Sequence, residues 1–132
     1  MTRPLILAAL LWVGGAVQGT PLRPDAAALA QGALIYERCG ACHAIERNRT
    51  GPQHCGLFGR RAGTAPGYQD YSAAMRSAGF IWNANTLDRF LRDPAAMVPG
   101  TTMGYAGIAD ARERADLIAW LHQATSACTP QE

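Results

Sequence analysis

An all-α fold is predicted for this chain, with short helices strung between long, turning loops, and three observations predict it. No segment shows sustained alternation of apolar and polar residues. Fourteen glycines and eight prolines punctuate the sequence at short intervals. Between those breaks, apolar clusters follow Ser, Thr, Asp or Asn at helix-capping positions. The 132 residues suit one domain, and 48% apolar against 17% charged residues is a globular balance. A long coiled coil, a collagen-like rod and a propeller are excluded. The formal charge of +2 is too weak a field to argue for nucleic acid or an anionic membrane surface.

The elements follow in order. Arg3, the apolar run Leu5 to Val17 and the small or polar Gln18-Gly19-Thr20 read as a secretory signal peptide over residues 1–19, cleaved near Val17-Gln18-Gly19. The alternative, an uncleaved anchor, is disfavoured because thirteen residues holding Gly14 and Gly15 fall short of the roughly 18–20 that span a bilayer. Residues 20–132 are then the exported domain, with a core over about 25–125, expected in the periplasm without stable membrane insertion. Asp25 caps a helix over Ala26 to Arg38 carrying Leu29, Ala33 and Tyr36, with Leu34 and Ile35 beside them. Gly51-Pro52, Gly56, Gly59, Gly63 and Pro66-Gly67 make about Ala44 to Gly67 a loop. Ser72 to Ala78 predicts a short helix. Asn85 or Thr86 caps a third helix through Leu87, Phe90 and Leu91, stopped by Pro94. Pro99-Gly100 opens another irregular stretch. Asp110 starts the last helix, with Glu113 completing a capping-box-like pair. Its apolar stripe is Arg114 (by its stem), Leu117, Ile118 and Leu121, with Trp120 alongside.

Four short helices and glycine-rich loops bury little apolar surface, so something other than side chains is expected at the centre. Cys39-Gly40-Ala41-Cys42-His43 is C-x-x-C-H, the haem c attachment signature. Two thiols three positions apart on a helical turn face the same way and can join the two vinyl groups on one edge of a haem. The adjoining His43 can bind the iron. One covalent haem c is therefore the expected cofactor. A thioredoxin-type C-x-x-C would need a βαβ context. A zinc site on Cys39, Cys42 and His43 would need a fourth ligand at the usual spacing. A plain disulfide would leave His43 unused.

For the sixth position on iron, Met103 stands out among four methionines, because Pro99-Gly100-Thr101-Thr102-Met103-Gly104-Tyr105 is a loop able to present a thioether. Met75 and Met97 sit in helical patterns where Met more often fills the core. His54 and His122 are rivals; His122, at the end of the last helix, suits a surface role at the helix C-terminus.

From about Gly32 to Thr125 the sequence resembles class I cytochrome c, in the branch of mitochondrial cytochrome c and bacterial cytochrome c2. The resemblance rests on Cys39 to His43, Thr50-Gly51-Pro52, Gly56-Leu-Phe-Gly-Arg60, Ala65-Pro-Gly67, Trp82, Pro99 to Met103 and Arg114 to Leu121, in that order. It implies a small single-domain cytochrome c fold with His43 and Met103 axial. It implies that the Pro52 carbonyl accepts the other ring N–H of His43, and that Arg60, Tyr71 and Trp82 surround the haem propionates. Between Gly67 and Trp82 the chain is one residue longer than the mitochondrial pattern, so Tyr68 competes with Tyr71; counting back from Trp82 favours Tyr71. Phe90 stands where the family has a tyrosine that bonds the methionine sulfur, and Tyr105 replaces a phenylalanine near the exposed haem edge.

All twelve basic residues are arginine. Where the family carries a ring of docking lysines, this chain has none, so with two propionate charges counted a nearly neutral or slightly acidic surface is expected and docking to an acidic patch is disfavoured. Cys55 sits where the family usually has His, and Cys128 follows the last helix. In an oxidising compartment a Cys55–Cys128 disulfide is expected, with a redox thiol or sulfur-handling site as the alternative. The resemblance implies an exported one-electron carrier between redox proteins, with its electron port near Ala41 and Tyr105, and not an enzyme in its own right. The alternatives are a haem c subunit of a periplasmic dehydrogenase, or a weak peroxidase if Met103 is labile. A monomer or such a subunit is expected.

Overall fold

A computed structural model describes residues 25–129; the leader read at 1–19 lies outside them. Among the described residues there are five α-helices, and the sheet content is a single bridge between Arg61 and Ile81. Helix α1 spans Ala26–Tyr36 and runs on into a 3₁₀ turn over Glu37–Cys39. Asp25 caps it, its carboxylate accepting from the Ala28 amide at 2.6 Å. The chain then loops without helix to α2, Ala73–Ser77, whose N-cap is Ser72.

Helix α3 spans Ala84–Arg92, and its cap lies two residues before Asn85 and three before Thr86, the caps expected from sequence. The cap is Asn83. Its side chain accepts from the Thr86 amide at 2.9 Å while the Thr86 hydroxyl accepts from the Asn83 amide at 2.8 Å, so Thr86 is the far half of a capping box. Pro94 stops α3 but also opens α4, Pro94–Met97, where its missing N–H does no harm. Helix α5, Ala111–Ser126, is capped by Asp110, which accepts from the Arg112 and Glu113 amides. Glu113 does not return the bond. Its carboxylate is taken by Arg38 at 2.9 and 3.2 Å, tying the 3₁₀ turn to the start of α5.

Helices α1 and α5 cross at Gly32, which has no side chain because none fits. A Cβ there would lie 2.2 Å from the Asp116 carbonyl oxygen and 2.6 Å from Trp120 Cβ. Arg114, Leu117, Ile118, Leu121 and Thr125 line the buried face of α5. Arg114 is held by more than its stem. Its Nε meets Asp88 of α3 at 2.7 Å and Nη1 donates to the Ile108 and Ala109 carbonyls, so α3, α5 and the preceding loop share one buried cation. Gly107 makes this loop's return possible, with φ of +102° and a hypothetical Cβ 2.3 Å from the Arg92 carbonyl oxygen. A disulfide joins Cys55 to Cys128, 73 residues apart with Cα atoms 5.6 Å from each other. Beside it, the Gly56 amide donates to the Thr125 carbonyl at 3.1 Å.

Two outcomes follow from these closures. Gly32→Ala forces backbone against backbone, so α1 must lift off α5; denaturant unfolding should show a loss of about 3 kcal/mol. Replacing both Cys55 and Cys128 by Ser should lower stability by about 3–4 kcal/mol, the loop-closure entropy returned to the unfolded chain, with far-UV circular dichroism unchanged.

Candidate functional site

The turn that follows α1 is built to aim three side chains. The amides of Cys42 and His43 both donate to the Cys39 carbonyl, at 3.1 and 2.9 Å, which closes the turn carrying Cys39, Cys42 and His43. The chain returns against it at Gly51, whose amide donates to the Cys42 carbonyl at 2.7 Å. Gly51 comes so close that a Cβ would lie 2.5 Å from His43 Cε1. The following carbonyl, that of Pro52, accepts from His43 Nδ1 at 2.8 Å. A carbonyl cannot donate, so Nδ1 carries the proton and Nε2 keeps its lone pair for a metal. Burial holds the His43 pKa below the ordinary histidine value, opposed by the Pro52 hydrogen bond.

This turn forms part of the wall of a cavity of about 330 Å³. Cys39, Cys42 and His43 line it together with Met103, which stands on the loop between α4 and α5. Both thiols are free cysteines, in contrast to the paired Cys55 and Cys128. The apolar wall comes from elements far apart in sequence: Leu57, Met75, Leu87, Phe90, Leu91, Leu117 and Leu121. Phe90 is buried and stands edge-to-face on Trp82, with ring centroids 5.1 Å apart.

A polar corner completes the lining. Arg60 donates to the Cys55 carbonyl at 2.6 Å and to the Gln53 carbonyl at 3.0 Å, yet its Nε is buried without a hydrogen-bond partner among the described residues. Burial lowers the Arg60 pKa. Tyr71 and Trp82 share this wall. The Tyr71 oxygen accepts from the Ala65 amide at 3.1 Å, which leaves its own proton to give, whereas Tyr68 gives its proton to the Thr50 carbonyl at 2.6 Å. That asymmetry favours Tyr71 over Tyr68 as a donor into the cavity. Burial raises both phenol pKa values, so both remain protonated near neutral pH.

The lining suits haem. Its flat apolar body matches the hydrocarbon wall, and its vinyl groups match two thiols on one turn. An imidazole and a thioether suit its iron, and a buried guanidinium Nε–H suits its carboxylates.

His54 is placed differently from the expectation that made it a rival to Met103. Its ring lies against His43, centroids 4.4 Å apart and planes 22° from parallel, so no iron fits between the two rings. The other rival, His122, is exposed and packs edge-to-face on Phe58. Residue order also concealed Tyr36, whose hydroxyl meets His54 Nδ1 at 3.1 Å. Its only sequence signal is an aromatic at the end of α1. Burial first, then His43, then Arg60 hold the His54 pKa well below the ordinary value.

Burial that keeps His54 neutral makes folding pH-dependent. The unfolded chain binds a proton there near the ordinary histidine pKa of about 6.5, and the folded chain does not. Stability from this group is full above that value and is lost as pH falls below it, by up to about 1.4 kcal/mol per pH unit. Urea unfolding from pH 7 to 5 should show the decline, with a shallower slope in His54→Leu.

Comparison with known proteins places this arrangement. The family described as cytochrome c matches residues 29–125. Cytochrome c of Sesamum indicum is 45% identical over 96 residues, covering 70% of this chain and 86% of that protein. Cytochrome c2 of Rhodomicrobium vannielii is 35% identical over 121 residues, covering 89% and 90%. Among solved structures, cytochrome cH from Methylobacterium extorquens superposes with a TM-score of 0.69 at 38% identity, covering 72% of this chain and 97% of that one.

Proposed function

The chain belongs to the cytochrome c family of electron carriers, which bind one covalent haem c and are not enzymes, and on that premise we propose that it is an exported, freely diffusing carrier working in the periplasm between redox proteins. The observation that carries this reading is the pairing of a fixed imidazole, His43 with Nδ1 bonded to Pro52, and the Met103 thioether on the wall of one apolar cavity. Two strong ligands leave no open position for a substrate, which favours a carrier over a peroxidase.

The division of labour among the residues follows from their chemistry. Cys39 and Cys42 hold the haem covalently. His43 and Met103 bind the iron, and the bond to Pro52 keeps His43 in the tautomer and orientation that donate best. A haem so bound supplies one reversible one-electron change. The Met103 sulfur, soft and uncharged, favours the reduced iron and so raises the potential. Arg60, Tyr71 and Trp82 make buried propionates tolerable by supplying one charge and two neutral donors. The aliphatic wall keeps water out and limits rearrangement during the transfer. Ala41 and Tyr105 border the proposed electron port, and Tyr105 also lines the cavity.

The leader over 1–19 supports export, and the domain over 20–132 is what remains after cleavage. No helix among the described residues is long and apolar enough to cross a membrane. The large apolar side chains exposed among those residues are Leu34 and Ile81, 58% and 44% exposed. Two such side chains fit a surface that docks transiently more readily than one buried permanently in a dehydrogenase. With eleven arginines against ten acidic residues outside the leader, docking is expected to rely little on net charge.

Met103→Ala provides the test. The oxidised parent should show the weak near-infrared charge-transfer band of methionine-ligated haem, and the variant should lack it. A parent without the band, or a variant that keeps it, contradicts the assignment.

A further inference from the structure

We propose that His54 is a positioning residue for the iron ligand His43: held by the Tyr36 hydroxyl, its ring lies along one face of the His43 ring and fixes the plane of that imidazole. The proposal rests on His43 being an axial ligand of haem, and it adds what sets the angle of that ligand.

The bond from His43 Nδ1 to the Pro52 carbonyl holds one point of the ring, 2.8 Å away. A single hydrogen bond leaves the ring free to tilt about the N–H···O direction. Two contacts oppose that tilt. The Gly51 backbone is one, near enough that its hypothetical Cβ would lie 2.5 to 2.8 Å from three His43 ring atoms. The His54 ring is the other, stacked at 4.4 Å and 22°.

His54 is itself held at both ends. Its amide donates to the Ala44 and Ile45 carbonyls, both at 3.1 Å, and its Nδ1 meets the Tyr36 hydroxyl at 3.1 Å. Tyr36 is fixed in turn against Trp120 of α5, with ring centroids 4.7 Å apart. The plane of the ligand is thereby referred through two rings to the α1–α5 crossing at Gly32. An aliphatic side chain at 54 would fill the space but could not be held against rotation. A half-buried hydroxyl at 36 left without its partner would be destabilising, so the two polar groups act as a pair.

The plane of an axial imidazole governs how its π orbitals mix with those of low-spin ferric iron, and hence how unpaired spin spreads over the porphyrin. Proton NMR of the oxidised holoprotein reads this directly in the hyperfine-shifted haem methyl resonances. Tyr36→Phe keeps the ring packing and removes only the hydroxyl, so it folds and is the deciding variant; His54→Leu removes the stack. Both should change the spread or order of the methyl shifts, His54→Leu more, while the methionine charge-transfer band stays. A Tyr36→Phe pattern superimposable on the parent's would overturn the proposal, even if the variant were less stable. A parent whose oxidised haem lacks a low-spin methyl shift pattern would instead refute ligation by His43 and Met103, so the two failures are distinguishable.

Discussion

The hydrogen bond from His43 Nδ1 to the Pro52 carbonyl is the constraint around which the rest of the structure is arranged. For that carbonyl to reach the ring, the chain must double back within nine residues and pass under the imidazole at a residue without a side chain. The return is then pinned: Gly51 to the Cys42 carbonyl, His54 and Cys55 to the carbonyls of residues 44 and 45, and Cys55 to Cys128 beyond α5. Helix α5 packs on α1 through Gly32, and α1 runs directly into Cys39. The circuit closes on the turn it started from. A perturbation at any point is therefore felt at His43.

The same circuit suits one-electron chemistry. Transfer is fast when the surroundings of the iron change little between oxidation states, and that requires ligands whose positions are fixed before either state is reached. Here the fixing groups are backbone carbonyls, glycines in contact and buried rings, none of which carries charge. The half-buried cation at the cavity, Arg60, is anchored to two carbonyls at the proposed propionate end. Arg60, Tyr71 and Trp82 thus form a polar corner, and Leu57, Met75, Leu87, Phe90, Leu91, Leu117 and Leu121 supply an apolar wall.

Much of this was legible in sequence where the signal is local. Asp25 and Asp110 cap helices as expected because capping joins groups only two or three residues apart. The all-α class followed from the breaks and from missing alternation, and the C-x-x-C-H turn from spacing alone. The failures have a common cause in contacts between distant residues. Arg114 read as an apolar stem because its partner Asp88 lies 26 residues away on another helix. His54 read as a possible sixth ligand because a residue type states what it can bind and not on which side it stands. Asn83, Asn85 and Thr86 all carry capping chemistry, and only the reciprocal bond tells that Asn83 is the cap and Thr86 the third residue. Gly32 gave no signal beyond a glycine in a helix, since the clash it avoids is with a carbonyl 84 residues on.

The central claim is that two thiols on one turn bind haem covalently and that Cys55 and Cys128 bind each other instead. Intact-mass spectrometry of the exported, acid-denatured protein tests it most directly. The expected mass is that of the polypeptide from about residue 20 plus one haem, less two hydrogens for the disulfide. A polypeptide mass without haem, and a colourless chain after denaturation, would contradict it.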